Sequence, residues 1–175
     1  MKSQTFELLY DYTLFRLHNS AVKRSKLIDF PLPCPTLLSQ KMRFLGHKFS
    51  NDGSTWPQLT DQKDFSISNY ENFRTCVHSG FENCEMLTPK FIYAYFEFTS
   101  ICGVFAVSTS VYGPNLKDIC HFATEYLCSS SKFVQFLFQH NGWESFLTMQ
   151  YCKYKAVQEG IFKQWLQVLD HQECL

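Results

Sequence analysis

FIYAYFEFTSICGVFAV, running from Phe91 to Val107, carries a single charge, Glu97, in an otherwise apolar or weakly polar stretch. A helix of this composition has almost no polar face, so it belongs at the centre of a domain with other helices around it. The rival reading is a transmembrane span. Three features weigh against that rival: the run falls short of the roughly 20 residues a bilayer needs, Glu97 lies near its middle, and Lys90 is its only basic flank. The rest of the chain is therefore expected to supply the surrounding helices.

Upstream, Phe6, Leu9, Tyr10, Thr13, Leu14 and Leu17 recur at helical spacing, with Glu7, Asp11 and Arg16 off that stripe. Between about residues 19 and 35 the chain is basic and then proline-punctuated, which predicts a connector. Thr36 is placed to cap a second helix whose stripe is Leu38, Met42, Leu45 and Phe49. After a poorly patterned stretch with one helical turn around Trp56 and Leu59, Ser68 and Glu71 spell a capping box ahead of Tyr70, Phe73, Val77 and Phe81. Downstream, the spacing predicts helices at Leu116 to Tyr126 and Phe133 to Phe138, a break at Gly142, and a terminal amphipathic helix over about 156–170. The whole reads as one all-α domain over residues 1–175, about eight helices around a buried central one.

Composition agrees with this and removes several function classes. With 45% hydrophobic residues the chain has material for a core. Lys and Arg number 16 against 16 Asp and Glu, so no general attraction to nucleic acid is expected. Eight cysteines form no C-x-x-C pair, and Cys76, Cys102 and Cys120 fall in apolar stretches where thiols act as small hydrophobes. No signal peptide opens the chain, because Glu7 and Asp11 interrupt its first apolar segment; an intracellular protein with reduced thiols is expected.

Catalytic signatures are equally sparse. The six histidines show no metal-ligand spacing, and His121 with Glu125 one turn later reads as a helix-surface pair. Neither metal nor cofactor is expected. There is no phosphate-binding glycine run and no G-x-S-x-G elbow. A Cys–His pair is the one catalytic arrangement the spacing leaves open, since such partners meet in space. The chain reads as a non-enzyme.

Four segments, in order, then resemble the homology motifs of the Bcl-2 family of apoptosis regulators. ELLYDYTLFRL (Glu7 to Leu17) is similar to the N-terminal motif E-L-V-x-D-F/Y-x-x-Y/F-K-L, with Glu7, Leu8, Asp11, Tyr12, Phe15, Arg16 and Leu17 fitting. MRFLGHKF (Met42 to Phe49) resembles the death motif L-R-x-x-G-D-x-F at Met42, Arg43, Gly46 and Phe49, with His47 in place of Asp. IYAYFEF (Ile92 to Phe98) is similar to I-V-A-F-F-E-F, though Thr88, Pro89, Lys90 and Phe91 replace the preceding N-W-G-R. HNGWESF (His140 to Phe146) resembles N-G-G-W-D/E-x-F, with Asn141 for one glycine. Gly46 has a packing reason under any reading, because a small residue lets a neighbouring backbone approach.

The resemblance implies a Bcl-2-like bundle and an inhibitor of apoptosis that receives the amphipathic death-motif helix of pro-apoptotic Bcl-2 proteins in a surface groove. Carried over by position, the groove would be lined by Phe49, Phe73, Cys76, Val77, Gly80, Phe81, Phe91, Ile92, Tyr95 and Phe98. Phe91 stands where the family has its acid-pairing Arg, leaving Lys90 and Arg74 as candidate cations. Val157 to Leu169 contains Lys163, Gln164 and Gln167 and is too short and polar for the usual membrane anchor. Missing anchor, short connector and worn motifs resemble virus-encoded survival members, acting in the cytoplasm or peripherally at mitochondria. The alternatives are a divergent pro-apoptotic member, whose second helix would be the ligand, and a groove recruited to another partner such as an autophagy regulator.

Overall fold

The structure, a computed structural model, describes residues 1–20, 27, 29–51, 67, 69–81, 87–109 and 115–172, with side chains left aside at 50, 51, 79–81, 109 and 161–172. The described residues form seven helices and no strand: α1 (Lys2–His18), α2 (Leu37–Asn51), α3 (Tyr70–Phe81), α4 (Pro89–Thr109), α5 (Leu116–Ser129), α6 (Ser131–Gln139) and α7 (Gly142–Gln172). The all-α expectation holds. The expected separate helix over about 156–170 is not a separate element: the helix that begins with Gly142 runs on for 31 residues. The expected turn at Trp56 and Leu59 lies outside the described residues.

α4 is the axis. Every residue from Ile92 to Ser100 is buried, and α1, α2 and α5 pack against it. It is the one described helix long and apolar enough to cross a bilayer by length and composition, and the bundle covers it as a core helix is covered. Cover thins toward its C-terminal end, where Phe105 is exposed. Glu97 sits in the core because it is paired there: Tyr12 Oη donates to it at 2.8 Å, and the Arg16 guanidinium forms its ion pair. A buried carboxylate without such partners would be expelled or neutralised.

α1 buries a wider arc than its apolar spacing suggested. Leu8, Asp11 and Tyr12 are buried, whereas Phe6 and Tyr10 are only half-buried. Asp11 was expected off the stripe. It goes inside because Arg43 of α2 holds both its oxygens, with Nε at 2.8 Å and Nη2 at 2.6 Å. Two close approaches set the helix spacing. A Cβ on Gly46 would stand 2.6 Å from the Tyr12 ring, and one on Gly103 would stand 2.6 Å from the Thr13 methyl.

Helix ends follow local chemistry. Thr36 caps α2 as expected, its Oγ1 accepting from Ser39 N at 3.1 Å. At α3 Asn69 Oδ1 accepts from Asn72 N at 3.0 Å, while the expected cap Ser68 lies outside the described residues. Asn caps at least as well as Ser. Asn115 and Asp118 make a reciprocal capping box on α5. The α6–α7 break falls at Asn141 (φ 53°) and Gly142 (φ 86°), so a left-handed pair reverses the chain. Asn is the residue other than Gly that tolerates this region best.

One apolar cluster draws buried side chains from all seven helices. A smaller one, Leu14, Leu17, Leu116 and Cys120, sits at the far end of α1 and collects Leu27 and Phe30 of the connector. The His18 ring also meets the Phe30 carbonyl at 2.7 Å, which ties the connector down. His121 and Glu125 do not pair with each other. His121 stacks on Phe6 with ring centroids 4.3 Å apart, and Glu125 takes Lys2, so both reach across to α1.

Candidate functional site

The four motif segments meet in space, and they do so through side chains that the sequence alone does not pair. The first and second are joined by Asp11–Arg43 and by Tyr12 against Gly46. The first and third are joined by Glu97 with Tyr12 and Arg16. The fourth reaches back to α1 through the Trp143 indole N–H, which donates to Thr5 Oγ1 at 2.9 Å in the buried interior. Trp143 also packs edge-on against Phe96 with centroids 5.5 Å apart. Such aromatic pairs contribute about 0.5–1.5 kcal/mol beyond their burial.

The residues expected to line a groove divide into two groups on the surface of α4. On the side facing α3 and α5, Phe73 meets Phe98 at 5.7 Å and Tyr95 at 6.5 Å, and Phe91 stacks on Tyr95 at 6.3 Å. Tyr95 continues the stack to Tyr126 of α5, also at 6.3 Å, and donates its hydroxyl to the Ala123 carbonyl at 2.7 Å. Phe49 stands elsewhere. Its ring lies 5.8 Å from Tyr93, on the side where α2 and α7 approach.

Exposure separates them again. Phe73, Val77, Ile92, Tyr95 and Phe98 are fully buried core residues, whereas Phe49, Cys76 and Phe91 are half-buried and reach the surface. Gly80 and Phe81 lie in the last turn of α3, and their side chains are outside the described residues. Among the described lining residues, solvent therefore reaches Phe49, Cys76 and Phe91.

The electrostatics of this face are those of an apolar floor. Burial pushes the Cys76 thiol and the Tyr95 phenol up, and burial followed by the neighbouring Cys76 does the same to Cys102. Tyr126 is raised by burial and partly restored by Arg74. Arg74 is exposed and donates to Glu71 at 3.4 Å, while Lys90 is exposed in the first turn of α4. Both candidate cations thus stand at the edge of the apolar face, with Arg74 beside Tyr126. Among the described residues no three His, Cys, Asp or Glu gather as a metal-binding set, and Cys34, Cys102, Cys120, Cys128 and Cys152 are free of disulfides.

The residue the sequence reading missed is Tyr93. Its ring lies between Phe49 of the second motif and Phe146 of the fourth, with centroids at 5.8 and 6.3 Å. The signal was in the third motif, where Tyr93 stands at a position the pattern fills with valine. Comparisons of the chain with family models, with curated proteins and with solved structures find no match.

Proposed function

We propose that this protein is a helix receptor of the Bcl-2 survival type, binding the amphipathic death-motif helix of pro-apoptotic proteins along the face formed by α2, α3 and the first half of α4. The observation that carries the reading is the convergence of the four motif segments on the central helix, through Asp11–Arg43, Glu97 with Tyr12 and Arg16, and Trp143 with Thr5 and Phe96. Half-buried Cys76 and Phe91 offer apolar contact at the rim, over the buried floor Phe73, Val77, Tyr95 and Phe98, while Phe49 reaches the surface on the α2–α7 side. Four apolar anchors at about 1.5–3 kcal/mol each suffice for submicromolar affinity after the cost of ordering the peptide.

The state of α2 favours this over a pro-death reading. A helix that acts as the ligand must offer its apolar face, yet Met42, Leu45 and Gly46 are buried and Arg43 is clamped by Asp11. Releasing that face would break the buried ion pair as well as the apolar packing.

Calorimetric titration with a panel of pro-death peptides of about 25 residues tests the proposal. Submicromolar binding of some members is expected, and no binding by any would overturn it. Phe91→Arg, which restores the acid-pairing cation over the Tyr95 ring, is expected to widen the set of peptides bound.

A further inference from the structure

α7 leaves the body of the bundle part-way along its length. Leu147 is buried, and Tyr151 and Tyr154 pack edge-on against Phe44 of α2 with ring centroids 5.2 and 5.3 Å apart. From Lys155 to Gly160 every residue is exposed, Val157 at 61%, so for more than a full turn the helix stands clear of the body. Gly160 ends this stretch without a local reason to be glycine. A Cβ there would meet nothing within 4 Å, and its φ lies outside the left-handed region. Glycine inside a helix is destabilising relative to alanine, because it loses more backbone freedom on folding. What it supplies here is a helix that bends easily where it leaves the body.

Beyond Gly160 the composition changes. Six of the nine residues 161–169 are apolar, and α7 continues unbroken through them. At helical spacing Ile161, Phe162, Trp165, Leu166, Val168 and Leu169 fall within one half of the circumference, with Lys163, Gln164, Gln167 and Asp170 in the other. We propose that this segment is a membrane-surface helix, lying in the plane of an uncharged phospholipid bilayer at the headgroup–acyl boundary and jointed to the bundle at Gly160. It is far too short to span. The width of the apolar arc selects a bilayer over a second copy of this chain: a two-stranded seam uses about two positions in seven, whereas a flat interface receives half a cylinder. Trp165 lies near the middle of the arc, and indole favours the boundary between acyl chains and headgroups. Lys163 and Asp170 cancel, so the attraction is apolar rather than electrostatic. This attachment is independent of helix reception on the α3 side of α4.

The test is flotation of the full chain with phosphatidylcholine vesicles. The wild type is expected to float with the vesicles, and to do so equally from about 0.05 to 0.5 M NaCl, since no charge pair is screened. Trp165→Glu is expected to weaken the partition about tenfold or more, and Trp165→Phe to keep most of it. Gly160→Ala is expected to weaken it several-fold, because a stiffer helix turns less readily into the plane. Unchanged melting temperatures of the three variants show that the bundle is intact. Failure of the wild type to float overturns the proposal, and light scattering that finds a dimer which Trp165→Glu dissolves then gives the apolar arc to a second copy. Release by salt, or equal flotation of Trp165→Glu, overturns apolar attachment through this segment. Equal flotation of Gly160→Ala overturns the joint. Peptide titration is expected to be the same for wild type and Trp165→Glu, so none of these outcomes bears on the receptor reading.

Discussion

Arg43 grips Asp11 across the α1–α2 contact through two parallel hydrogen bonds of 2.8 and 2.6 Å, and both side chains are nearly buried. Removing one partner strands a charge inside the protein. Asp11→Ala is therefore expected to destabilise the fold by about 3–5 kcal/mol in urea denaturation. Replacing the pair together, as Asp11→Leu with Arg43→Met, is expected to cost less than Asp11→Ala alone. If the double replacement costs as much as the two single changes summed, the pair is not coupled as the geometry requires.

The close crossing of α1 and α4 allows a rescue test. Gly103→Ala puts its methyl 2.6 Å from the Thr13 methyl, a clash expected to cost about 1–3 kcal/mol. Thr13→Ser removes that methyl yet keeps the hydroxyl that donates to the Leu9 carbonyl at 2.7 Å. The double variant should regain most of the melting temperature lost by Gly103→Ala. Gly46→Ala has no such remedy, because the obstacle is the Tyr12 ring, whose hydroxyl holds Glu97.

Alkaline stability has a definite sign. Burial pushes the Cys120 thiol from 9.0 up to about 12, and it raises the Tyr12 and Tyr95 phenols as well. The folded chain therefore keeps protons that the unfolded chain releases above pH 9. These groups contribute their full stability below their unfolded values, and that contribution is lost as pH rises. Urea midpoints should fall steadily from pH 9 upward. Cys120→Ala should flatten the fall by up to one proton, about 1.4 kcal/mol per pH unit, between pH 9 and about 12.

Trp143 offers a local probe of the α1–α7 link. Thr5→Val keeps the shape but removes the acceptor of the indole N–H, leaving a buried donor unpaired at about 1–3 kcal/mol. Tryptophan near-ultraviolet dichroism should change together with the melting temperature. An unchanged melting temperature would show that the bond carries no net stability.

Helix existence was legible wherever apolar spacing is regular. The buried stripe Met42 and Leu45, the core run from Ile92, and the break before Trp143 are all one-dimensional patterns, since a periodic face or a left-handed pair leaves its mark in neighbouring residues. Asp11 was misplaced because charge predicts exposure until its partner is known, and Arg43 lies 32 residues away. The expected groove residues are apolar in the sequence, but spacing along a helix does not say which side a covering helix occupies. Hence Tyr95 and Phe98 are floor and core, Phe49 stands on another side of α4, and Tyr93 between Phe49 and Phe146 went unnoticed.

By itself the sequence determined an all-helical chain with an apolar axis at Phe91 to Val107, a cap at Thr36 and a break at Gly142, because each depends on residues within a turn or two of one another. Only the tertiary structure decided which polar groups go inside. Glu97 is tolerated at the axis because Tyr12 and Arg16 reach it from α1, Asp11 because Arg43 reaches it from α2, and the buried Tyr93 hydroxyl has no partner among the described residues. Desolvating a polar group is costly unless a partner meets it, and partners distant in the chain are brought together by packing alone.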